Sequence, residues 1–539
     1  MKKIFYSADA RDKVLSGAKQ LYDAVKVTFG PKGQNVVIEK TYGAPVITHD
    51  GVTVAEAVDL GSTDDNLGEQ VGARLIKGAA QKLNKVAGDG TTTVTVLTYN
   101  ILNEANKLIA AGVNPMELRK GIEQAGAEVV KSINKQAEKI EGDNTKVAEV
   151  ATISAGDATI GKLIAEVISK IGKDGVVTVE AGQGLEMEQE IVEGFSYDKG
   201  FSSPFFVTDI NRQEAIFNKP SILITDKKLS AAADILPILE KCAATGQKDL
   251  VIIAEEVEGE ALSLLVLNKL KGVFNSLVLK APSFGERRKE IMEDIAILTG
   301  ATVVSADKGL KLEEVDLDVL GSANKIIATK DETTIIKGAG SQANVKDRIK
   351  LIQAQSNLAH SDYEREEFDK RAAALLGKVA VIKVGGATET EIEEKKFRVD
   401  DAVAATKAAL AEGIVTGGGV TLINLASTLK TTDMGAKIVQ NALKTPFIHI
   451  VENAGLNAQA LLAEVEKAKP GQGINVIAPE KGLIDLKKAG VIDPARVTRE
   501  AVQNAISIAA TAITMGALIV EVPEKEDNSA ANNMGGGMY

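Results

Sequence analysis

Tryptophan is absent from the sequence, and cysteine, histidine and aromatic residues are scarce, which excludes several kinds of site. Aromatic residues make up only 4% of the 539 residues, too few for the base-stacking surfaces that bind single-stranded nucleic acids. Cys242, the only cysteine, cannot form a disulfide within the chain. We expect it to be a small buried apolar residue in a reducing compartment. His49, His360 and His449 lie far apart, without the spacing of zinc ligands.

Long apolar runs and an excess of positive charge are also lacking. The formal net charge of −11 argues against general binding to nucleic acids or anionic membranes. No apolar run approaches the length of a membrane span, and the lysines near the N-terminus are not followed by the apolar stretch of a signal peptide. We therefore expect a cytoplasmic protein that binds neither nucleic acid nor membrane. A chain of this length exceeds what one hydrophobic core usually serves, so two to four domains are expected.

Helical patterns dominate both ends of the chain, and short apolar strands alternate with helices in the middle. Apolar periodicity predicts helices over residues 9–28, 66–87, 91–111, 115–138, 158–171 and 389–412, and further helices up to about 518. Strands are predicted over 35–39, 45–48, 175–180, 221–225, 249–254, 276–279 and 380–384, with a turn at 49–51. The alternation from about 193 to 378 indicates an α/β domain inserted into a mainly helical one.

Residues 88–93, Gly-Asp-Gly-Thr-Thr-Thr, stand where a helical pattern begins. The glycines allow close approach of the backbone to a ligand, Asp89 offers a carboxylate, and the threonines add hydroxyls beside the free N–H groups of a helix N-terminus. This combination suits a phosphate with its metal ion. The same residues also suit an ordinary helix start with Asp89 as the N-cap residue. Both interpretations remain open on these residues alone.

Other segments likewise allow a structural and a functional interpretation. The loop 28–33 contains Pro31 and two glycines, which either stop a helix or turn the backbone toward phosphate oxygens; it is not a Walker motif. Asp50 lies at a turn, where aspartate is common. Asp401 lies opposite the apolar stripe of its helix, so it faces either solvent or a cleft. Residues 417–419, three glycines, form either a linker or a close approach to a nucleotide. Asp493 is either a turn residue or an acceptor for a ribose hydroxyl.

Three segments of the predicted middle domain are more apolar than a helix or loop that contacts the core on one side. In 258–271 the leucines and valine spread nearly all around the predicted helix, residues 231–243 are broadly apolar, and 201–206 form an apolar aromatic loop. Core packing explains any one of these segments. Three of them in one domain allow an exposed apolar patch, which would mark a binding surface.

Together these motifs resemble those of the group I bacterial chaperonins, the GroEL type. The resemblance covers essentially the whole chain, in order. It is carried by residues 27–33, 50–52, 87–93, 114–116, 254–261, 379–385, 398–402, 417–419 and 493–494, and by a Gly- and Met-bearing tail. It implies an ATP-dependent chaperonin that captures unfolded proteins on apolar apical surfaces and encloses them in a ring cavity. A small-molecule enzyme that uses ATP and a non-catalytic ring scaffold are the competing hypotheses.

The implied fold is a multi-domain α and α/β protein. A mainly helical equatorial ATP-binding domain would comprise residues 1–136 and 412–526, and a small α/β intermediate hinge domain 137–192 and 379–411. An inserted α/β apical domain would comprise 193–378, and 527–539 would be a disordered tail. The implied assembly is two stacked seven-membered rings closed by a GroES-type co-chaperonin lid.

The resemblance also assigns site residues. Asp401, assisted by Asp50, would activate water for hydrolysis of ATP. The cofactors would be ATP and Mg²⁺, with Asp89 as the metal ligand and K⁺ as a further candidate. The implied ATP contacts are Thr28, Phe29, Gly30, Pro31, His49, Asp89, Gly90, Thr91, Thr92, Thr93, Gly418, Asn475, Val476, Ile477 and Asp493. The implied client and lid contacts are Phe201, Phe205, Phe206, Leu236, Leu239, Leu262, Val266 and Leu267.

The chain departs from the usual chaperonin pattern near the nucleotide. His49 stands where members often have lysine, so the charge beside the phosphates is expected to depend on pH. Val476 and Ile477 follow Asn475 where small residues are usual. The stretch between Asp50 and Gly88 is about one helical turn longer than usual.

Overall fold

The computed structural model describes residues 2–39, 45–61, 66–172, 175–182, 184–210, 212–359, 361–430 and 433–522. The chain divides into two compact units, and the second is inserted into the first. The first unit comprises Met1–Ser169, Val179–Met187 and Val384–Tyr539, and the second Lys170–Thr178 and Glu188–Lys383. The predicted tail 527–539 and His360 lie outside the described residues, and the three-domain division stays a prediction.

The helices and strands are numbered in chain order. The helices are α1 (Ser7–Lys26), α2 (Gly51–Ala57), α3 (Glu69–Ala87), α4 (Thr91–Ala110), α5 (Pro115–Gln136), α6 (Asn144–Ala155), α7 (Ala158–Ile171), α8 (Leu236–Ala244), α9 (Gly259–Leu270), α10 (Gly285–Thr299), α11 (Gln342–Leu358), α12 (Asp362–Leu375), α13 (Glu389–Glu412), α14 (Val420–Thr428), α15 (Met434–Ala442), α16 (Thr445–Asn453), α17 (Ala458–Val465) and α18 (Ala495–Ala512). The strands are β1 (Lys2–Tyr6), β2 (Val36–Ile38), β3 (Val46–Thr48), β4 (Val176–Ala181), β5 (Glu188–Tyr197), β6 (Ala215–Asn218), β7 (Ser221–Leu229), β8 (Asp249–Val257), β9 (Asn275–Lys280), β10 (Gly321–Ala328), β11 (Thr333–Gly338), β12 (Lys378–Val384), β13 (Ile414–Thr416), β14 (Gln472–Ile474), β15 (Leu483–Asp485), β16 (Ile492–Pro494) and β17 (Ala517–Glu521).

The core of the first unit is built from helices at both ends of the chain. Helices α1, α3, α4 and α5 come early, and α18, from the far end, packs against α3, α4 and α5. Their apolar stripes meet in one cluster of buried side chains, among them Leu21, Ile76, Leu97, Ile122 and Val502. Burial of such stripes supplies most of the stability of helices this long. The prediction of a helical domain that the chain leaves and re-enters is confirmed.

The end of the first unit differs from the prediction of helices up to about 518. Helix α18 ends at Ala512, and Ala517–Glu521 form β17, which pairs antiparallel with β1. Leu518 and Val520 are buried while their neighbours are exposed, which is the period-two pattern of a half-buried strand. Among the described residues, no helix is long and apolar enough to cross a membrane.

The second unit is built on a mixed sheet, as the alternation of strands and helices predicts. Its strand order is β4-β12-β5-β11-β10-β7-β8-β9, and β6 pairs with β10. Strands β7, β8 and β9 are parallel and are connected by α8 and α9, the helical crossovers that parallel neighbours require. Residues 250–254 of β8 are all buried, because strands of this kind are covered on both faces.

A buried carboxylate joins three helices of the second unit. Asp294 on α10 is 1% exposed and accepts from Arg348 Nε on α11 at 2.7 Å and from Arg371 Nε on α12 at 2.9 Å. Arg371 also pairs with Glu290. The paired guanidinium groups are themselves poorly exposed, so loss of the carboxylate would leave two desolvated positive charges without their main partner.

We predict that Asp294→Asn lowers the free energy of unfolding by about 3 kcal/mol, because breaking one side of a buried ion pair strands the other. Urea denaturation measures the change. Asp347→Asn is the matched control, since Asp347 pairs with Lys350 at 2.9 Å while both side chains are about three-quarters exposed, and its effect should stay below about 0.5 kcal/mol. Equal effects of the two substitutions would contradict the prediction.

Candidate functional site

The loop before α4 leaves the start of that helix uncapped. Gly88 and Gly90 both have left-handed backbone conformations, with φ of 69° and 86°. The N-cap residue is Gly90, which has no side chain, and no side-chain cap is made. The expectation that Asp89 is the N-cap residue is therefore wrong: Asp89 Oδ1 accepts from the N–H of Gly90 at 2.5 Å. Among the described residues no side chain caps the N–H groups of Thr91–Thr93, which are the kind of group that binds an anion at a helix start.

Two glycines let other helices approach the start of α4 closely. A Cβ on Gly88 would lie 2.1 Å from Cβ of Ala404 on α13, and a Cβ on Gly51 would lie 2.4 Å from Oγ1 of Thr92. Asp401 lies one turn before Ala404 on α13, and Asp50 directly precedes Gly51. The packing thus brings both carboxylates toward Asp89.

Burial and mutual repulsion perturb these carboxylates. Burial raises the pKa of Asp401 well above its usual value, and the charges of Asp50, Asp89 and Asp400 raise it further. Burial also raises the pKa of Asp89, although the Gly90 N–H and the Ser154 hydroxyl, 3.1 Å from Asp89 Oδ2, oppose the shift. Asp401 is half-buried on its helix, so the cleft interpretation of this residue is favoured over the solvated one.

The donor set fits a hard divalent cation. A cation among these carboxylates would stabilise their charged forms and lower the pKa values that burial raises. Within the described ranges, no three metal-binding side chains are arranged to hold an ion by themselves. Carboxylate oxygens beside an anion-binding helix start are the ligands that suit Mg²⁺, which keeps several waters and takes one or two carboxylates together with phosphate oxygens. Asp89, beside the open end of α4, is the residue that would hold it.

Asp50 begins a helix instead of the predicted turn. It is the N-cap residue of α2, where Oδ1 accepts from the N–H of Val52 at 3.0 Å. Its Oδ2 accepts from the N–H and the hydroxyl of Thr53, at 2.8 and 2.6 Å. The carboxylate is therefore fixed in place and acts on its surroundings chiefly through its charge.

The loop after α1 lies close to His49. Thr28 is buried and its hydroxyl donates to the carbonyl of Val25 at 2.9 Å. Gly30 has φ of 79°, and Gly33 donates to the carbonyl of Gly30 at 3.0 Å. A Cβ on Gly33 would lie 2.8 Å from Cε1 of His49. Burial lowers the pKa of His49, and a hydrogen bond to the Gly30 backbone opposes the shift.

The other predicted residues of this loop differ in exposure. Phe29 is half-buried against the helical core, and Pro31 is exposed. The N–H groups of Gly33 and Gln34 are paired within the loop, with Gly30 and Val27. The loop is therefore a compact turn that the end of α1 holds in position.

Asn453 is a residue of this region that the sequence did not reveal. Its side-chain nitrogen on α16 donates to the carbonyls of Lys26 and Phe29, both at 2.9 Å, and so connects α16 to the end of α1 and to the loop that follows it. The neighbouring Ile450 lies 3.1 Å from where a Cβ of Gly30 would stand. An asparagine more than 400 residues away in sequence gives no local signal of this contact.

Residues from the end of the chain form the other side of the site. Strands β13 and β16 pair so that Val415 faces Asp493, and a Cβ on Gly417 would lie 2.9 Å from Oδ1 of Asp493. Burial, followed by the charge of Asp89, raises the pKa of Asp493 to about 7. Gly418 has φ of 64°. The glycines 417–419 are thus a tight turn into α14, and the linker interpretation is wrong.

The three residues 475–477, predicted to contact the nucleotide, lie in different environments. Asn475 Oδ1 accepts from the N–H of Ile477 at 3.0 Å. Val476 is buried in an apolar cluster with Leu486, so its side chain belongs to the core, whereas Ile477 is 65% exposed. Leu486 and Val491, not predicted, lie near Gly418.

The residues predicted to contact clients and the lid differ in their solvent exposure. Phe205, Leu236 and Leu267 are exposed, and Leu262 and Val266 are half-buried. Phe201, Phe206 and Leu239 belong to the buried core, so their assignment as surface contacts is wrong for this conformation. In the aromatic loop, Phe206 points inward because it ends the short turn Pro204–Phe206, while Phe205 is 63% exposed. Leu270, one of the apolar residues of the predicted helix 258–271, is 66% exposed and continues the stripe of Leu262 and Val266.

A family comparison decides what these features belong to. The TCP-1/cpn60 chaperonin family model matches residues 21–523. The chain belongs to this family. The resemblance found in the motifs is therefore confirmed at family level, and the GroEL type stays a prediction. The chaperonin has a solved structural relative in the chaperonin gp146 from the bacteriophage EL 2 (Pseudomonas aeruginosa), determined in the presence of ATP-BeFx. The match has a TM-score of 0.67 at 20% identity and covers 97% of this chain and 99% of the other, which shows a shared fold.

We predict that Gly88→Ala destabilises the chaperonin by about 1–3 kcal/mol more than Gly156→Ala, because the added methyl group overpacks the contact with α13. Gly156 is the matched control: its φ of 64° is close to the 69° of Gly88 and both follow the end of a helix, but a Cβ at Gly156 would meet nothing within 4 Å. Denaturant unfolding of both variants isolates the packing contribution. Equal destabilisation would show that α13 does not depend on Gly88.

Proposed function

We propose that this chaperonin uses ATP hydrolysis in the first unit to drive capture and release of unfolded proteins by the second. The observation that carries the proposal is the uncapped start of α4, with Asp89 beside it and Asp401 in the same cleft. Anion-binding N–H groups, a metal-binding carboxylate and a further carboxylate with a raised pKa are the parts that hydrolysis of a phosphoanhydride needs.

The nucleotide would lie between the two halves of the site. Its phosphates would face the N–H groups of Thr91–Thr93 and the turn of Thr28, Phe29, Gly30 and Pro31, with His49 beside that turn. Its ribose and adenine would face Asp493, Gly418 and the backbone at Asn475–Ile477, since the Val476 side chain is buried. Mg²⁺ bound at Asp89 would neutralise phosphate charge, and K⁺ is a further candidate for the same region.

Asp401 is the residue we assign to proton abstraction. A general base works best when its pKa is near the operating pH, and burial beside other carboxylates raises the pKa of Asp401 in that direction. The carboxylate accepts a proton from the attacking water. Asp50, fixed by its cap hydrogen bonds, supplies the negative charge that favours this transfer.

The same packing can couple hydrolysis to movement. Asp401 and Ala404 are on one helix, and Ala404 contacts the loop that carries Asp89. Any displacement of α13 therefore removes the base from the site. A nucleotide that binds better when α13 is in contact shifts the population toward that state.

The second unit would capture clients through its exposed apolar side chains, Phe205, Leu236, Leu262, Val266 and Leu267. Exposed apolar patches of this kind mark protein-binding surfaces, and an unfolded chain offers apolar segments without fixed shape. The GroES-type lid and the two stacked seven-membered rings follow from the resemblance to the group I chaperonins. Family membership supports client binding and assembly in rings.

We predict that Asp401→Asn lowers kcat for ATP hydrolysis by about 100-fold or more, because general-base catalysis contributes a factor of that size. Nucleotide affinity should be retained, since Asn keeps the shape of the side chain. A phosphate-release assay and equilibrium binding of a fluorescent ATP analogue measure the two quantities. Glu389→Gln, an exposed carboxylate at the start of the same helix, is the control. Undiminished turnover in Asp401→Asn would remove this residue from the mechanism.

We predict that Phe205→Glu weakens capture of an unfolded chain by about tenfold or more, because loss of a large exposed aromatic contact and a new charge both oppose apolar binding. Basal ATP hydrolysis should be unchanged. Binding of reduced and carboxymethylated α-lactalbumin, which cannot refold, measures capture. Phe284→Glu is the control, since Phe284 is 77% exposed and lies outside the predicted contacts. Capture as strong as that of the native chaperonin would contradict this surface.

A further inference from the structure

Lys269 near the end of α9 connects that helix to the turn that presents Phe205. Its ammonium donates to the carbonyl of Phe206 at 2.7 Å. The same nitrogen lies 4.9 Å from the ring centroid of Phe217 and 5.8 Å from that of Phe206, within the range of cation–π attraction. One side chain thus reaches beneath the turn Pro204–Phe206 and contacts it through both backbone and ring.

The lysine is held where its charge is poorly solvated. Phe206 and Phe217 are fully buried, and Lys269 is half-buried between α9 and these rings. Burial lowers the pKa of Lys269 to about 8, and Asp249 at the start of β8 is the charged group that opposes the shift. The Asp249 carboxylate is engaged with Asn275 at 2.6 Å. A desolvated ammonium costs stability, so stabilisation of the core does not explain a charge at this position.

The Phe206 ring belongs to the same buried cluster as Leu265 of α9, but the hydrogen bonds of the turn are internal. Within the turn, Phe206 and Val207 donate to the carbonyls of Ser203 and Pro204, both at 3.1 Å. The Ser203 side chain accepts from Phe205 only at 3.4 Å. These hydrogen bonds shape the turn but do not connect it to the helix. The Lys269 ammonium does.

Lys269 also lies beside the apolar stripe of its own helix. Leu262, Val266, Lys269 and Leu270 are at spacings of four, seven and eight residues, which places them on one helical face. Leu270 is exposed, and Leu262 and Val266 are half-buried. The turn with Phe205 and this stripe come from two different segments of the chain, and Lys269 connects α9 to the turn.

We propose that Lys269 is a positioning residue for client capture: its ammonium fixes the turn Pro204–Phe206 against α9. Phe205 and the stripe of Leu262, Val266 and Leu270 then form one continuous surface for an apolar segment of an unfolded polypeptide. The inference rests on the proposed function, because it assumes that these side chains bind clients.

The first test removes the ammonium of Lys269 and keeps an unbranched apolar side chain of similar length. Lys269→Met should bind reduced and carboxymethylated α-lactalbumin about tenfold more weakly, the effect of losing a hydrogen bond from a charged donor. Its resistance to urea should be equal to or greater than that of the native chaperonin, because a desolvated charge is removed. Lys271→Met, an exposed lysine two residues further on, is the control and should leave capture unchanged.

The second test uses pH. Capture by the native chaperonin should weaken by up to about tenfold as the pH rises from 7 to 9, since Lys269 loses its charge near pH 8 and the neutral amine is a weaker donor. Lys269→Arg should keep capture across this range, because a guanidinium stays charged and can donate to the same carbonyl. If Lys269 had only a structural role, replacing it with arginine would not remove the dependence of capture on pH.

The outcomes separate this inference from the proposed function. If Lys269→Met captures the probe as well as the native chaperonin does, or if Lys269→Arg loses capture with pH as the native does, the role of Lys269 is wrong. If the native chaperonin captures no probe, or Phe205→Glu captures as well as it does, the client surface itself is wrong. Weakened capture in both Phe205→Glu and Lys269→Met, with rescue by arginine at pH 9, supports the positioning role.

Discussion

The close packing of other helices against the start of α4 is the constraint on which the candidate site depends. Gly88 leaves room for Ala404 on α13, and Gly51 leaves room for Thr92. Because these elements approach so closely, Asp401 shares one poorly solvated cleft with Asp89, and the pKa of each carboxylate is raised. The same glycine-rich loop leaves the first N–H groups of α4 without a cap. The Asp89 carboxylate, which could bind a cation, and the first N–H groups of α4, which could bind an anion, thus lie side by side because the glycines allow close packing.

Buried charges are neutralised by ion pairs where they join helices, but only partly neutralised where we propose a function. Asp294 is surrounded by two arginines, so its charge is compensated and serves to join helices. The carboxylates of the candidate site and the ammonium of Lys269 are only partly compensated, and their pKa values shift accordingly. Proteins retain such uncompensated groups where function requires them, at some cost in stability.

Much of the fold could be predicted because long helices and buried strands have strong periodicity. The predicted helices near α1, α3, α4 and α5 agree with the structure within a few residues. Three-residue strands such as β13 and β16 have too few residues to show a period, and the first residues of β17 fall within the helices that the sequence predicts up to about 518. At the site, the residue types near α4 were predictable, but the cap position depends on the φ of Gly90. Which phenylalanine of 201–206 is exposed depends on turn geometry, and Asn453 meets α1 only through tertiary packing.

The pairing of β1 with β17 and the packing of α18 against α3, α4 and α5 have a consequence for biogenesis. The second unit is almost continuous in sequence, so its sheet can close as soon as β12 has left the ribosome. The first unit cannot complete its core then, because α18 and β17 have not yet been synthesised. The parts of α4 and α5 that α18 covers therefore stay exposed until that helix has been synthesised. During its own synthesis, the chaperonin therefore exposes apolar surface in the same way as the unfolded chains that we propose it captures.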